Sequence, residues 1–167
     1  MHIASPVHAT AEHPDEIIVP AVQGTTSILF SALKHRDTVK RVFVMSSAAA
    51  IFPGPTPGEP ITTKVMDESV WNELSVAHCR EKGRDADKMH MYRASKTLAE
   101  RAAWEFVEAH KEEIAGAWDL VVINPPWVYG PVIHEAPSLE SFGSTQSQWY
   151  GAVVKGLAKG DALTKAG

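Results

Sequence analysis

Two short apolar runs constrain the fold of this chain more than any other feature. They are Arg41-Val42-Phe43-Val44-Met45 and Leu120-Val121-Val122-Ile123. Both are too short for helices and rich in β-branched residues, so each reads as a strand buried on both faces. Each stops on polar residues or proline: Ser46-Ser47 after the first, Asn124-Pro125-Pro126 after the second. Between them the stretch from Asp87 to Glu113 carries Ser95, Leu98, Ala99, Ala102, Ala103, Phe106 and Val107 at helical spacing, with Asp87 placed to cap it. An earlier helix is predicted from Asp15 to Lys34, with Pro20 in or near its first turn and Gly24 as a weak point. Met1 to Pro6 reads as the tail of a further strand, stopped by proline. Ala48 to Pro60 is a proline- and glycine-rich loop, Asp67 to Asn72 approaches the long helix through a polar stretch, Arg80 to Asp87, and Trp149 to Leu163 predicts a last helix. Strands alternating with helices make an α/β fold with about three short parallel strands flanked by helices.

Length and charge narrow the function. A chain of 167 residues can build one domain with a real core. Its net charge of −4 gives no footprint for nucleic acid. No run of consecutive apolar residues approaches the 18 or so of a membrane span, and the N-terminus lacks a signal-peptide layout, so no membrane partner is expected. Cys79 is the only cysteine, which fits a reducing, cytoplasmic setting. The 8 histidines form no metal-binding spacing, so no metal site is expected.

On a parallel sheet, ligands sit at the carboxyl ends of the strands. Ser5-Pro6, Ser46-Ser47 and Asn124-Pro125 all fall at such ends. The long helix adds Tyr92 and Lys96, four residues apart and therefore stacked on one face. They continue one edge of the buried stripe, so both lean toward the sheet. An ammonium held beside a phenol makes the phenol a usable proton donor.

These residues resemble the extended short-chain dehydrogenase/reductase family, also described as NAD-dependent epimerases/dehydratases, and within it the dihydroflavonol reductase-like branch. The matching pieces, in family order, are His2 to Pro6, Val39 to Ala49, Asp67 to Trp71, Tyr92 to Glu100 and Asn124 to Pro131. The resemblance implies a partial Rossmann-like fold and an NAD(P)H-dependent reductase of an aldehyde or ketone, with NADP(H) ahead of NAD(H). It implies Ser47 on the substrate carbonyl, Tyr92 as proton donor and Lys96 on the nicotinamide ribose. It places Ser5 and Pro6 beside the adenosine ribose, Pro125 and Val128 beside the nicotinamide, and Ser138 on the cofactor phosphates.

Departures from the family pattern are large. None of the 11 glycines forms the GxGxxG or GxxGxxG turn that holds a pyrophosphate. Ser27 stands where the family often has asparagine, and Phe52 where flavonoid reductases bind substrate through asparagine. By comparison with the family, residues 1–139 are a partial dinucleotide-binding domain and 140–167 the truncated start of a substrate-binding region. The chain is expected to be a central fragment whose open sheet edge invites association of copies. Two other readings follow: a non-catalytic remnant that acts only through protein association, and a nucleotide-sugar epimerase/dehydratase or hydroxysteroid dehydrogenase of the same fold.

Overall fold

The computed structural model describes residues 1–6, 11–54, 65–130, 135 and 144–154. Its contacts divide the chain into two units, residues 1–53 with 60–125, and residues 54–59 with 126–167.

The first unit opens with helix α1, Asp15–Lys34. Asp15 and Glu16 lie in its first turn and Lys34 in its last, each complementing the helix dipole. Pro20 lies inside the helix, beyond the first turn, where its missing N–H forgoes a bond to the carbonyl one turn back. The mean hydropathy of α1 reaches 1.3, so by length and composition alone it could cross a membrane. Its stripe of Ile17, Ala21, Leu29 and Leu33 is buried, and it packs along the long helix α3, Lys88–Ala109, as a core helix does.

Strand β1, Arg41–Met45, pairs in parallel with β2, Asp119–Ile123, in the register Val42↔Leu120 and Val44↔Val122. Arg41 and Asp119 close the first pair with a two-pronged ion pair at 2.7 and 2.5 Å. The third strand is reduced to one bridge: His2 donates to the Phe43 carbonyl and accepts from Met45 N–H. The fold is the expected partial parallel sheet with helices, two strands and a bridge in size.

The strands are buried on one face only, which corrects the sequence reading. Val42, Val44 and Leu120 enter a core with Leu29 and Leu33 of α1 and Ala103 and Phe106 of α3. Phe43, Met45, Val121 and Ile123 belong to neither core cluster, and Ile123 is 42% exposed. The cause is topological. From His2 to β1 to β2 the chain steps in one direction across the sheet. Crossovers of one hand that step one way lay their helices on one face. Without a reversal in strand order, neither α1 nor α3 is brought to the other face.

Helix α2, Glu73–Lys82, lies between the two polar segments that lead to the long helix and is not predicted by the sequence pattern. Its apolar face is small, with only Ser75, Val76 and Cys79 buried. Asn72 caps it by accepting from Ser75 N–H at 3.1 Å, and Gly83 ends it at φ 54°, a conformation that favours glycine. Helix α3, Lys88–Ala109, begins at Asp87 as predicted, whose carboxylate accepts from the N–H groups of Met89 and His90. It stops short of Glu113 because His110 breaks the helix, and a separate turn, α4, follows at Lys111–Ile114. Ala99, Ala103 and Phe106 are buried as expected, while Leu98, Ala102 and Val107 are half-buried. The burial instead widens toward the start, taking in Met91, Ala94, Lys96, Thr97 and Glu100. Met91 packs with Ile17, Val76 and Cys79 in a second core cluster, whereas Met89 and Trp104 stay largely exposed.

In the second unit, residues 126–130 are exposed and outside helix or strand, with the Trp127 and Tyr129 rings parallel at 6.5 Å. Helix α5, Ser144–Trp149, continues as a π-helical turn, Tyr150–Val154. The helix predicted from Trp149 to Leu163 thus starts earlier, and its later part lies outside the described residues. Ser138 and residues 55–64 of the proline-rich loop also lie outside them.

Candidate active site

The carboxyl ends of β1 and β2 are joined by backbone. Ser46 N–H donates to the Ile123 carbonyl at 2.9 Å, and Ala48 N–H to that of Pro125 at 3.0 Å. Between these bonds the chain turns at Ser47 into a 3₁₀ turn, Ala48–Ala50. Ser47 is half-buried, and its Oγ caps that turn by accepting from Ala49 N–H at 3.1 Å. A turn-capping serine and a catalytic serine are therefore not alternatives here. The cap uses a lone pair of Oγ and leaves its hydrogen to donate elsewhere.

The turn is held from two further sides. Asn72 Nδ2 donates to the carbonyls of Ala49 at 2.9 Å and Phe52 at 3.2 Å. Thr97 of α3, fully buried, shares its one hydroxyl hydrogen between the Arg93 carbonyl of its own helix at 2.9 Å and the Ala50 carbonyl at 3.2 Å. The helix face of Tyr92 and Lys96 is thereby fastened to the turn that carries Ser47.

On that face Lys96 is only 8% exposed. Its Nζ lies 5.8 Å from the centroid of the Tyr92 ring, close enough for a cation–π contact. Tyr92 itself is half-buried, and its carbonyl accepts from Ser95 Oγ at 2.7 Å. Among the described residues no oxygen accepts a hydrogen bond from Lys96 Nζ. Burial pushes the Lys96 pKa below its ordinary value. His2, on the edge of the sheet, is lowered too: first by burial, then by the nearby Lys96 charge and the chain's amino terminus. A buried ammonium with unused donors is a poor structural element and a good ligand group.

One turn further along α3 a second charge is buried. Glu100, 6% exposed, takes two bonds on one oxygen: Ser46 Oγ at 2.5 Å and Asn124 Nδ2 at 2.7 Å. The Asn124 amide also donates to the Ser47 carbonyl at 3.1 Å. Sequence reasoning passed over Glu100 and treated Asn124 as a strand stop. The available signal was the four-residue step from Lys96 to Glu100, which puts both on one helix face.

Of the other expected site residues, Ser5, Pro6 and Pro125 are half-buried in the first unit, Ser5 and Pro6 just past the His2 bridge. Val128 is 66% exposed and belongs to the second unit. Ser138 lies outside the described residues. Ser27 and Phe52, the two single-residue departures from the family pattern, are both exposed. Among the described residues no group of three or more His, Cys, Asp or Glu could hold a metal ion.

No protein-family model matches the chain. Individual proteins do. An uncharacterized oxidoreductase of Saccharomyces cerevisiae is 37% identical over 137 residues, which is 81% of this chain and 37% of that protein. The NADPH-dependent methylglyoxal reductase GRE2 of the same yeast is 33% identical over 133 residues, 78% of this chain and 36% of that protein. The crystal structure of yeast methylglyoxal/isovaleraldehyde reductase Gre2 complexed with NADPH matches with a TM-score of 0.65 and 32% identity, covering 80% of this chain and 37% of that one. The chain thus spans little more than a third of the length of each of these relatives.

Proposed function

We propose that this chain belongs to the extended short-chain dehydrogenase/reductase family and carries the catalytic group of an NADPH-dependent reductase of small aldehydes or ketones. The observation behind the proposal is the Lys96 ammonium, buried beside the Tyr92 ring with no hydrogen-bond acceptor among the described residues. Ribose hydroxyls are the kind of acceptor that it lacks. Lys96 would hold the nicotinamide ribose, with Pro125 bordering the ring and Ser5 and Pro6 the far ribose. The sequence contains no glycine-rich turn for the pyrophosphate, so the fit is to the nicotinamide half of the cofactor.

When bound, the nicotinamide supplies the hydride, which no side chain can. The chain's own residues do the rest. Tyr92 donates its phenolic proton to the carbonyl oxygen, assisted by the neighbouring ammonium. Ser47, with its Oγ lone pair committed to Ala49 N–H, donates its hydrogen to the same oxygen as negative charge develops there. A neutral, small carbonyl compound is the substrate class; methylglyoxal and isovaleraldehyde appear in the names of the relatives. The single cysteine, Cys79, is buried with its thiol pushed up to about 11, in keeping with a cytoplasmic protein that does not use it.

The test is a fluorescence titration of the full chain with NADPH, alongside Lys96→Ala, followed by turnover of a panel of aldehydes and ketones with Tyr92→Phe as control. Saturable binding weakened by Lys96→Ala, and turnover abolished by Tyr92→Phe, are expected. Absence of binding up to millimolar NADPH would sink the reading and leave the non-catalytic alternative, favoured by the missing glycine-rich turn.

A further inference from the structure

We propose that Glu100 is a positioning residue, whose carboxylate sets where the Ser47 turn sits against the Tyr92 and Lys96 face of α3. The proposal rests on the reductase reading above and extends it to how the reacting groups are held in register.

Three observations carry it. First, one oxygen of Glu100 gathers both strand ends: Ser46 follows β1 directly and Asn124 follows β2 directly. Backbone bonds already join those ends to each other. What they do not fix is the helix; the shared Thr97 hydroxyl ties it to the far end of the turn at Ala50, and Glu100 ties it to the strand ends themselves. Second, the clamp reaches the site by short paths on both sides. Asn124, held by Glu100, donates to the Ser47 carbonyl. On the helix, Tyr92, Lys96 and Glu100 recur every four residues and so form one row along a rigid rod. A shift of the strand ends against Glu100 is a shift of Ser47 against Tyr92. Third, the choice of a carboxylate is costly on stability grounds alone. No cation forms an ion pair with Glu100 among the described residues, and both donors are neutral. Burying a charge to bind neutral donors is unfavourable unless the short, directional bonds a carboxylate accepts serve another end. The 2.5 Å bond from Ser46 is of that kind.

The experiment uses the isotope-labelled full chain with three variants. Glu100→Gln keeps the size of the side chain and one acceptor. Ser46→Ala removes one donor and leaves the carboxylate. Ala103→Gly, in the core of the same helix and outside the site, lowers stability without touching the clamp. Amide resonances of Ser46 to Ala50 and the side-chain NH₂ of Asn124 are followed, together with kcat and KM for the carbonyl substrate under saturating NADPH. Glu100→Gln is expected to unfold cooperatively, to move the resonances at 46–50 and 124 most, and to lower kcat by about tenfold or more with KM little changed. Ser46→Ala should do the same to a smaller degree, and Ala103→Gly should do neither. The proposal is overturned if Glu100→Gln loses stability as Ala103→Gly does, with no displacement at Ser47 and no fall in kcat. Should the unmodified chain neither bind NADPH nor turn over a carbonyl, the reductase reading fails. The resonance comparison still decides whether Glu100 holds the Ser47 turn.

Discussion

Lys96 and Glu100 lie one turn apart on the same face of α3, are buried to nearly the same degree, and carry opposite charges. Their surroundings could hardly differ more. Glu100 has two donors on one oxygen, both from the strand ends. Lys96 has an aromatic ring at 5.8 Å and no acceptor among the described residues. The protein has enclosed Glu100 with partners and left Lys96 waiting for one. A buried charge with its bonds made belongs to the architecture, and a buried charge without them belongs to a ligand.

The largest effect should come from breaking the satisfied side. Glu100→Ala strands the Ser46 hydroxyl and the Asn124 amide in a buried site, so stability should fall by about 2–4 kcal/mol. Urea unfolding measures this directly; a loss no greater than that of a surface substitution would mean that water reaches the network.

The reverse is expected at Lys96. Lys96→Met removes a desolvated charge that has no protein partner, so at neutral pH it should leave stability unchanged or raise it by about 1 kcal/mol. The pH dependence sharpens this. Burial holds the folded-state pKa of Lys96 below 10.5. Below the folded value both states carry the proton, and the penalty is fully present. As pH rises from the folded value toward 10.5, the folded state sheds the proton first and the penalty is relieved. The advantage of methionine should therefore shrink across that alkaline window and be gone above it. A destabilisation by Lys96→Met comparable to that of Glu100→Ala would show that Lys96 is satisfied after all, and the contrast would collapse.

His90, at the start of α3, is an intermediate case and should show a smaller effect. Its Nδ1 lies 3.0 Å from Ser75 Oγ, and its ring stacks on that of His78 at 4.2 Å. Burial, then His78 and Arg93, lower its pKa, while Asp87 opposes them. Below 6.5 the unfolded chain takes up a proton that the folded His90 resists, so stability should drop as pH falls through that range. Melting curves of His90→Gln should be flatter than wild type over the same window. An equal slope would assign the pH dependence to His2 or to carboxylates. The smallest effect on stability is expected from Tyr92→Phe, within about 0.5 kcal/mol, although this variant should remove turnover. Thermal melts beside the carbonyl assay would separate the two; a large drop in melting temperature would make the hydroxyl structural.

Much of the scaffold for this contrast was legible in the residue pattern. The α1 and β1 segments were read with the bounds they have, because periodic apolar residues and terminal charges report local structure directly. Asp87 was legible as a cap for the same reason. Helix α2 was not, since its apolar face is too narrow to stand out; Asn72 followed by Glu73 was the only signal, and it was passed over. The one-sided burial of β1 and β2 was missed because an apolar strand looks alike whether one face or two are covered. Only the order of crossovers decides that.

The site divides along the same line. Tyr92, Lys96 and Ser47 could be singled out from sequence because spacing and place at a helix or strand end are local properties, while the roles expected of them came from the family resemblance. Glu100 could not be told from an ordinary helical glutamate, because its partners stand 54 and 24 residues away. Which residues can carry charge, cap a turn or line a helix face is set by chemistry along the chain. Which buried charges find their partners within the protein is settled only when distant segments meet, since a hydrogen bond depends on positions that no single segment specifies.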